Sequence, residues 1–181
     1  KNAAKWFQNN SMVANPAKFQ LLFIGLNNIN NISMTIEGKK VLASNSVKLL
    51  GVIIDKNLKF DKHIKDICNK ARSKCFALSR IRNFLTLEKA ILLYNAFILS
   101  NFSYCPLIWM FCSKSENNLI NSTQKKGLRI VYKEPDKTLN QLLKIDGSPG
   151  IHLRNLRFLM IEVFKGLNKL NPQFMWNLFQ V

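Results

Sequence analysis

A chain of 181 residues with 48% hydrophobic side chains can hide roughly 70% of its unfolded surface, enough for a core of its own. Collagen-like, mucin-like and disordered classes are thereby excluded. Its 27 Lys and Arg against 10 Asp and Glu leave a net charge of +17, which predicts an anionic partner, either nucleic acid or a membrane surface. Lysine outnumbers arginine 21 to 6, beside 22 Asn and 13 Phe. An AT-rich coding sequence yields that bias without selection for binding; it explains many of the lysines but less easily the scarcity of acids.

Lys1–Asn10 reads as the end of a helix without any signal-peptide pattern, and the chain as a piece of a longer protein. Asn15-Pro16 breaks the chain, and Lys18–Ile24 predicts a strand ended by Gly25 and an Asn-rich turn at Asn27–Asn31. Ile32–Ile36 alternates as a half-buried strand does, with a tight turn at Glu37–Lys40 and a short return strand, Lys40–Leu42. Val47–Ile54 predicts a further strand with Gly51 at a bulge or close approach. These strands read as antiparallel.

After Asp55 the apolar period changes from 2 to 3.6: Ile64, Ile67, Cys68, Ala71, Cys75, Leu78 and Ile81 share one helical face. Lys62, Lys65, Arg72 and Arg80 fall on the other side, and residues 62–82 hold seven basic side chains against one acid, Asp66. That arrangement suits a phosphate backbone, and equally a solvated lysine face. Thr86 is placed to cap a helix running to about Ser100. Ser115 is placed to cap another to about Tyr132, and Thr138 a short one over Leu139–Ile145. A last helix, about Ile151–Leu170, puts Leu153, Leu156, Leu159, Met160, Val163, Phe164 and Leu167 on one side, before an apolar tail at Phe174–Phe179. The fold class is α+β: a small antiparallel sheet followed by a mainly helical bundle.

Cys68, Cys75, Cys105 and Cys112 lack zinc-ligand spacing. Seven residues apart on a helix is about 10.5 Å, beyond the reach of about 7 Å that a Cys68–Cys75 disulfide allows. The four read as reduced thiols of a nuclear or cytoplasmic, not secreted, protein. Ala90–Ser113 is uncharged over 24 residues, but Asn95, Ser100, Asn101, Ser103 and Pro106 crowd its centre. It reads as a buried helix, a break and a second apolar element, with no membrane partner expected. No paired carboxylates, P-loop or GxGxxG occur, so the chain alone does not read as an enzyme or as the holder of a small-molecule cofactor.

Ser46–Asp55 (SVKLLGVIID), Leu58, Phe60 and His63-Ile64 resemble a segment of the reverse transcriptases of non-LTR retrotransposons of the LINE type, the jockey and CR1 kind. There the pattern K-LG-x-x-x-D, L-x-[WF]-x-x-H-I marks the primer-grip hairpin and the start of the thumb. Upstream, Trp6, Asn10, Asn15 and Lys18 are similar to the end of that family's palm. Downstream, Leu93-Tyr94, Ile98, Tyr104-Cys105-Pro106 and Trp109 are similar to its thumb, with Leu142-Leu143 and the Phe174–Phe179 tail fitting more loosely.

The resemblance implies RNA-directed DNA synthesis with Mg2+ held by palm aspartates, in a strand that would precede Lys1. Residues 1–58 would be the end of the palm with the primer grip, 59–113 the thumb helices and 114–181 their helical extension. Lys18 would be the general acid toward the departing pyrophosphate, and Leu49, Leu50, Gly51 and Val52 the primer grip. Lys62, Lys65, Arg72 and Arg80 would face an RNA–DNA hybrid or other primer–template, shape-directed through the backbone. Without fingers and catalytic palm, such a chain does not polymerise alone. The alternative is a nucleic-acid-binding remnant without polymerase activity. By their apolar neighbours, Trp6, Tyr104 and Trp109 are expected in the core rather than as stacking platforms.

Overall fold

A computed structural model of the chain describes residues 2–13, 15–26, 32–36 and 38–177. It divides into two units, residues 1–58 and 59–181. The class is α+β, with two small antiparallel sheets followed by a helical region. The predicted turn at Asn27–Asn31, Glu37, and the end of the Phe174–Phe179 tail lie outside the described residues.

The first unit opens with α1 (Asn2–Asn9) and a 3-10 turn at Pro16–Lys18. Two hairpins follow, β1 (Ser33–Ile36) with β2 (Lys39–Leu42) and β3 (Ser46–Leu49) with β4 (Val52–Asp55). Gly38, at φ 77, supplies the positive φ that the first turn needs.

The strand expected at Lys18–Ile24 does not form. Of it, Leu21 alone makes a bridge, parallel to Ala43. The segment is held instead by single bonds to its neighbours: Ser44 N–H donates to Leu21 O, Lys48 N–H to Gln20 Oε1, and Gly25 N–H to Lys56 O, at 2.9–3.1 Å. Its bonds fall on three separate stretches, at 43–44, 48 and 56, so no single strand runs beside it far enough to make a ladder.

Nor is Val47–Ile54 one strand with a bulge. Leu49 pairs with Val52 across a two-residue turn whose residues, Leu50 and Gly51, have φ of 47 and 89. Two successive positive φ values are those of a type I′ turn, whose twist matches a hairpin. A leucine there is strained, because its Cβ crowds the backbone.

The second unit is built on α2 (Asp61–Ile81) and α5 (Lys114–Tyr132), packed along their length. On α2 the predicted face is buried at Ile64, Ile67, Cys68, Ala71, Cys75 and Leu78, joined by His63, while Ile81, expected on it, is 45% exposed at the helix end. α3 (Leu87–Leu93) starts at Thr86, whose side chain accepts from Lys89 N–H. It runs on as a π turn at Tyr94–Ile98 and a 3-10 turn at Leu99–Phe102.

Polar side chains in this uncharged stretch close the helical run. Ser100 Oγ donates to Ala96 O, and Asn101 Nδ2 to Phe97 O and Ile98 O, while Asn101 Oδ1 accepts from Lys74 Nζ at 2.9 Å. Among the described residues no helix is long and apolar enough to cross a membrane. α4 (Pro106–Trp109) is the second apolar element, its proline in the first turn.

α5 begins after Ser113, so Ser115 lies inside its first turn and hydrogen-bonds Glu116 Oε2 rather than capping. It ends at Lys133 in the left-handed region, two residues before Pro135. α6 (Leu139–Asp146) carries a full capping box between Thr138 and Gln141, and Gly147 follows it at φ 67. α7 (Ile151–Leu167) stops short of the expected Leu170, and α8 is Gln173–Trp176.

On α7 the buried positions are Ile151, Asn155 and Gly166. The apolar side expected inward is largely exposed, Met160 at 72% and Phe164 and Leu167 near it. The start of α7 is tied to α5, whose buried Gln124 accepts from Ile151 N–H through Oε1.

Candidate nucleic-acid interface

Four basic residues on one helix can serve a phosphate backbone only if they share a face and keep their charge unspent. Lys62, Lys65, Arg72 and Arg80 meet the first condition, sharing about a quarter of the α2 circumference, with Lys62 and Arg80 opposite the buried face and Arg72 half-buried at its flank beside α5. From Lys62 to Arg80 the face runs about 27 Å.

Three neighbouring cations fail the second condition. Lys70 is paired with Asp66 at 2.6 Å, and Lys74 with Asn101. Arg82 is buried, its Nε donating to Val131 O at 2.8 Å and its Nη1 to Leu85 O at 3.0 Å, so it caps the end of α5 rather than facing solvent. Among the described residues no ion pair engages Lys65 or Arg80. Arg72 donates from Nη2 to Ser122 Oγ at 3.4 Å, which leaves its charge uncancelled.

In the first unit, Lys18 closes the 3-10 turn with its side chain exposed. Leu49, Leu50, Gly51 and Val52 are brought together as the tip of the β3–β4 hairpin. Leu50 is 83% exposed and Val52 4%, so the tip presents apolar side chain and glycine backbone outward. Asp55 Oδ1 accepts from Asn57 N–H at 3.0 Å, a turn-forming role for the aspartate of that motif.

Many of the residues that carry the resemblance are core. Phe60, His63, Ile64, Tyr94, Ile98, Pro106 and Trp109 are all buried. Trp109 donates from Nε1 to Tyr104 O at 3.1 Å, and its ring lies 6.4 Å from that of His63. Tyr104 and Trp6, expected beside Trp109 in the core, are exposed; Tyr104 contributes its carbonyl to the tryptophan and leaves its ring outside. Burial raises the thiol of Cys75 to about 11 and that of Cys68 above its ordinary value, which makes both poor nucleophiles. Among the described residues no group of three His, Cys, Asp or Glu side chains could hold a metal ion.

The chain is 31% identical over 99 residues, 53% of its length, to the probable RNA-directed DNA polymerase from transposon X-element of Drosophila melanogaster. It is 26% identical over 105 residues, 56% of its length, to the RNA-directed DNA polymerase from mobile element jockey of Drosophila funebris. The chain is similar to reverse transcriptases of non-LTR retrotransposons. The matches span 11% and 12% of the length of those two relatives. No family model matches the chain, and no solved structure does.

Three further basic residues, Lys126 and Arg129 of α5 and Lys133 at its end, recur at intervals of three and four, the signal that marks them in the sequence.

Proposed function

We propose that this chain supplies the primer–template-holding part of a non-LTR retrotransposon reverse transcriptase, its residues 59–181 acting as the thumb. The observation that carries this reading is the outer face of α2, where Lys62, Lys65, Arg72 and Arg80 line up on the side away from the core. The similarity to two transposon polymerases supplies the context. Such a face recognises an A-like RNA–DNA hybrid by its backbone, because side chains cannot reach into the deep major groove.

In the same reading the β3–β4 tip, Leu49–Val52, is the primer grip, where glycine lets the backbone approach a primer end closely. Lys18 is the general acid, a cation offsetting the charge that develops on departing pyrophosphate. Both roles need the rest of a polymerase around them. The Mg2+ chemistry is assigned to no residue of this chain.

The test is binding of the purified chain to a labelled RNA–DNA hybrid, single strands and DNA duplex across a salt series. Four phosphate contacts predict a log–log slope of about −4, at about −0.9 each. Lys65→Gln with Arg72→Gln should bring it to about −2 and remove a preference for the hybrid. Equal weak binding to every polyanion, unchanged by those substitutions, would overturn the proposal and leave the charge as compositional drift.

A further inference from the structure

α2 and α5 are packed side by side, but their exposed flanks leave a furrow of about 480 Å³, open to solvent. Phe76 and Ser79 of α2 form one wall; Lys126, Ile130 and Lys133 form the other, with Pro135 at the end. We propose that this furrow is a track for single-stranded nucleic acid, with a base stacked on Phe76 and adjacent phosphates held by Lys126 and Lys133. The proposal extends the nucleic-acid reading of α2 to a different ligand and different residues.

Charge supports an anion here. Among the described residues no ion pair engages Lys126 or Lys133. Arg129, on the same wall, has its guanidinium tied to Lys137 O through Nε and Nη2. The nearest acid in sequence, Glu134, is already paired with Lys137 Nζ at 2.7 Å.

The end of α5 would ordinarily repel a phosphate through its exposed carbonyls. Two of them are covered: Val131 O by Arg82 Nε, and Arg129 O by the N–H groups of Lys133 and Glu134. The helix end therefore offsets less of the furrow's positive charge.

The aromatic is the second component. Phe76 is 61% exposed on a helix with an ample apolar face elsewhere, so burial does not explain it. The Arg80 guanidinium carbon lies 5.5 Å from its ring centroid. An exposed ring flanked by cations is the arrangement on which bases of a single strand stack, with little regard to sequence.

An exposed ring favours an unpaired base, because the bases of a duplex are already stacked on one another. Base stacking and phosphate pairing are common to RNA and DNA strands.

The test uses the intact chain with labelled oligo-dT, oligo-rU and an RNA–DNA hybrid, read by fluorescence anisotropy. Lys126→Gln with Lys133→Gln should flatten the single-strand salt slope by about 1.4, at about 0.7 per contact, and leave hybrid binding within about twofold. Phe76→Ala should weaken both single strands by about tenfold or more, and Phe76→Tyr should restore them; the tyrosine rescue separates stacking from any loss of folding. The ratio of dT to rU affinity names the resident strand, and either preference supports the track.

Single-strand affinity unchanged in both groove variants overturns the proposal, as does an equal loss for hybrid and single strands. Groove-dependent single-strand binding without any hybrid binding would sustain the track while sinking the thumb reading.

Discussion

The two units use their motif residues in opposite ways. In residues 59–181 the recognisable residues are interior: Trp109, Tyr94, Ile98 and His63 are each all but inaccessible, and the outer face of α2 is free to vary in what it binds. In residues 1–58 the recognisable residues sit outside, at a hairpin tip whose Leu49 and Leu50 are exposed. Among the described residues of that first unit, Val52 is the one apolar side chain that is buried. Two-stranded hairpins are at best marginal by themselves. A pattern in sequence therefore marks a packing requirement in one unit and a surface geometry in the other, and substitution separates the two.

The largest effect is expected in the helical core. Trp109→Ala removes a side chain 1% exposed together with its hydrogen bond to Tyr104 O. It should cost about 3–5 kcal/mol, read as a fall in the urea midpoint of the helical signal. A loss below about 1 kcal/mol would show that this motif residue is not structural.

An intermediate effect is expected from pH. Cys75 is a thiol whose burial raises its pKa from 9.0 to about 11. The unfolded chain releases that proton first, so the stability is fully present below pH 9 and is lost as pH rises toward about 11. Cys75→Ala should lose less stability than the parent across that window, measured by denaturant unfolding at each pH. An identical decline in both proteins would remove Cys75 as a cause.

The smallest effect belongs to the hairpin tip. Leu50→Asn replaces a residue at φ 47 with one that tolerates the left-handed region. It should stabilise the β3–β4 hairpin by about 0.5–1 kcal/mol, seen as slower amide exchange at Leu49 and Val52. Faster exchange would mean that the leucine side chain contributes packing that outweighs the strain.

Local signals were legible at two of the three expected caps, while Ser115 lies inside the first turn of α5. Thr86 and Thr138 cap the helices they precede, because a cap needs only the next three backbone N–H groups. The inward face of α2 was readable from its 3.6 period, and with it the opposite basic face. The two β-hairpins were readable in part: β1 and β2 follow from alternation and Gly38. The residues resembling a polymerase were legible as a family pattern, and most of them in the second unit prove to be interior.

Tertiary structure decided what depends on a partner remote in sequence. Lys18–Ile24 has strand composition, but its bonds fall on separate stretches at 43–44, 48 and 56 rather than along one strand. Arg82 belongs to the same basic run as Arg80, yet it is drawn inside by carbonyls at Val131 and Leu85. The apolar side of α7 was expected to face inward, and the bundle took its Asn155 and Gly166 face instead. Phe76 and Lys126 are fifty residues apart and share a furrow only because α2 and α5 pack side by side. Sequence by itself determined the periods, the Thr86 and Thr138 caps and the inward face of α2, because those are set by backbone geometry within a turn or two. Which faces meet, which charges are consumed and which remain outside was decided by packing, where each face competes with every other for the same neighbours.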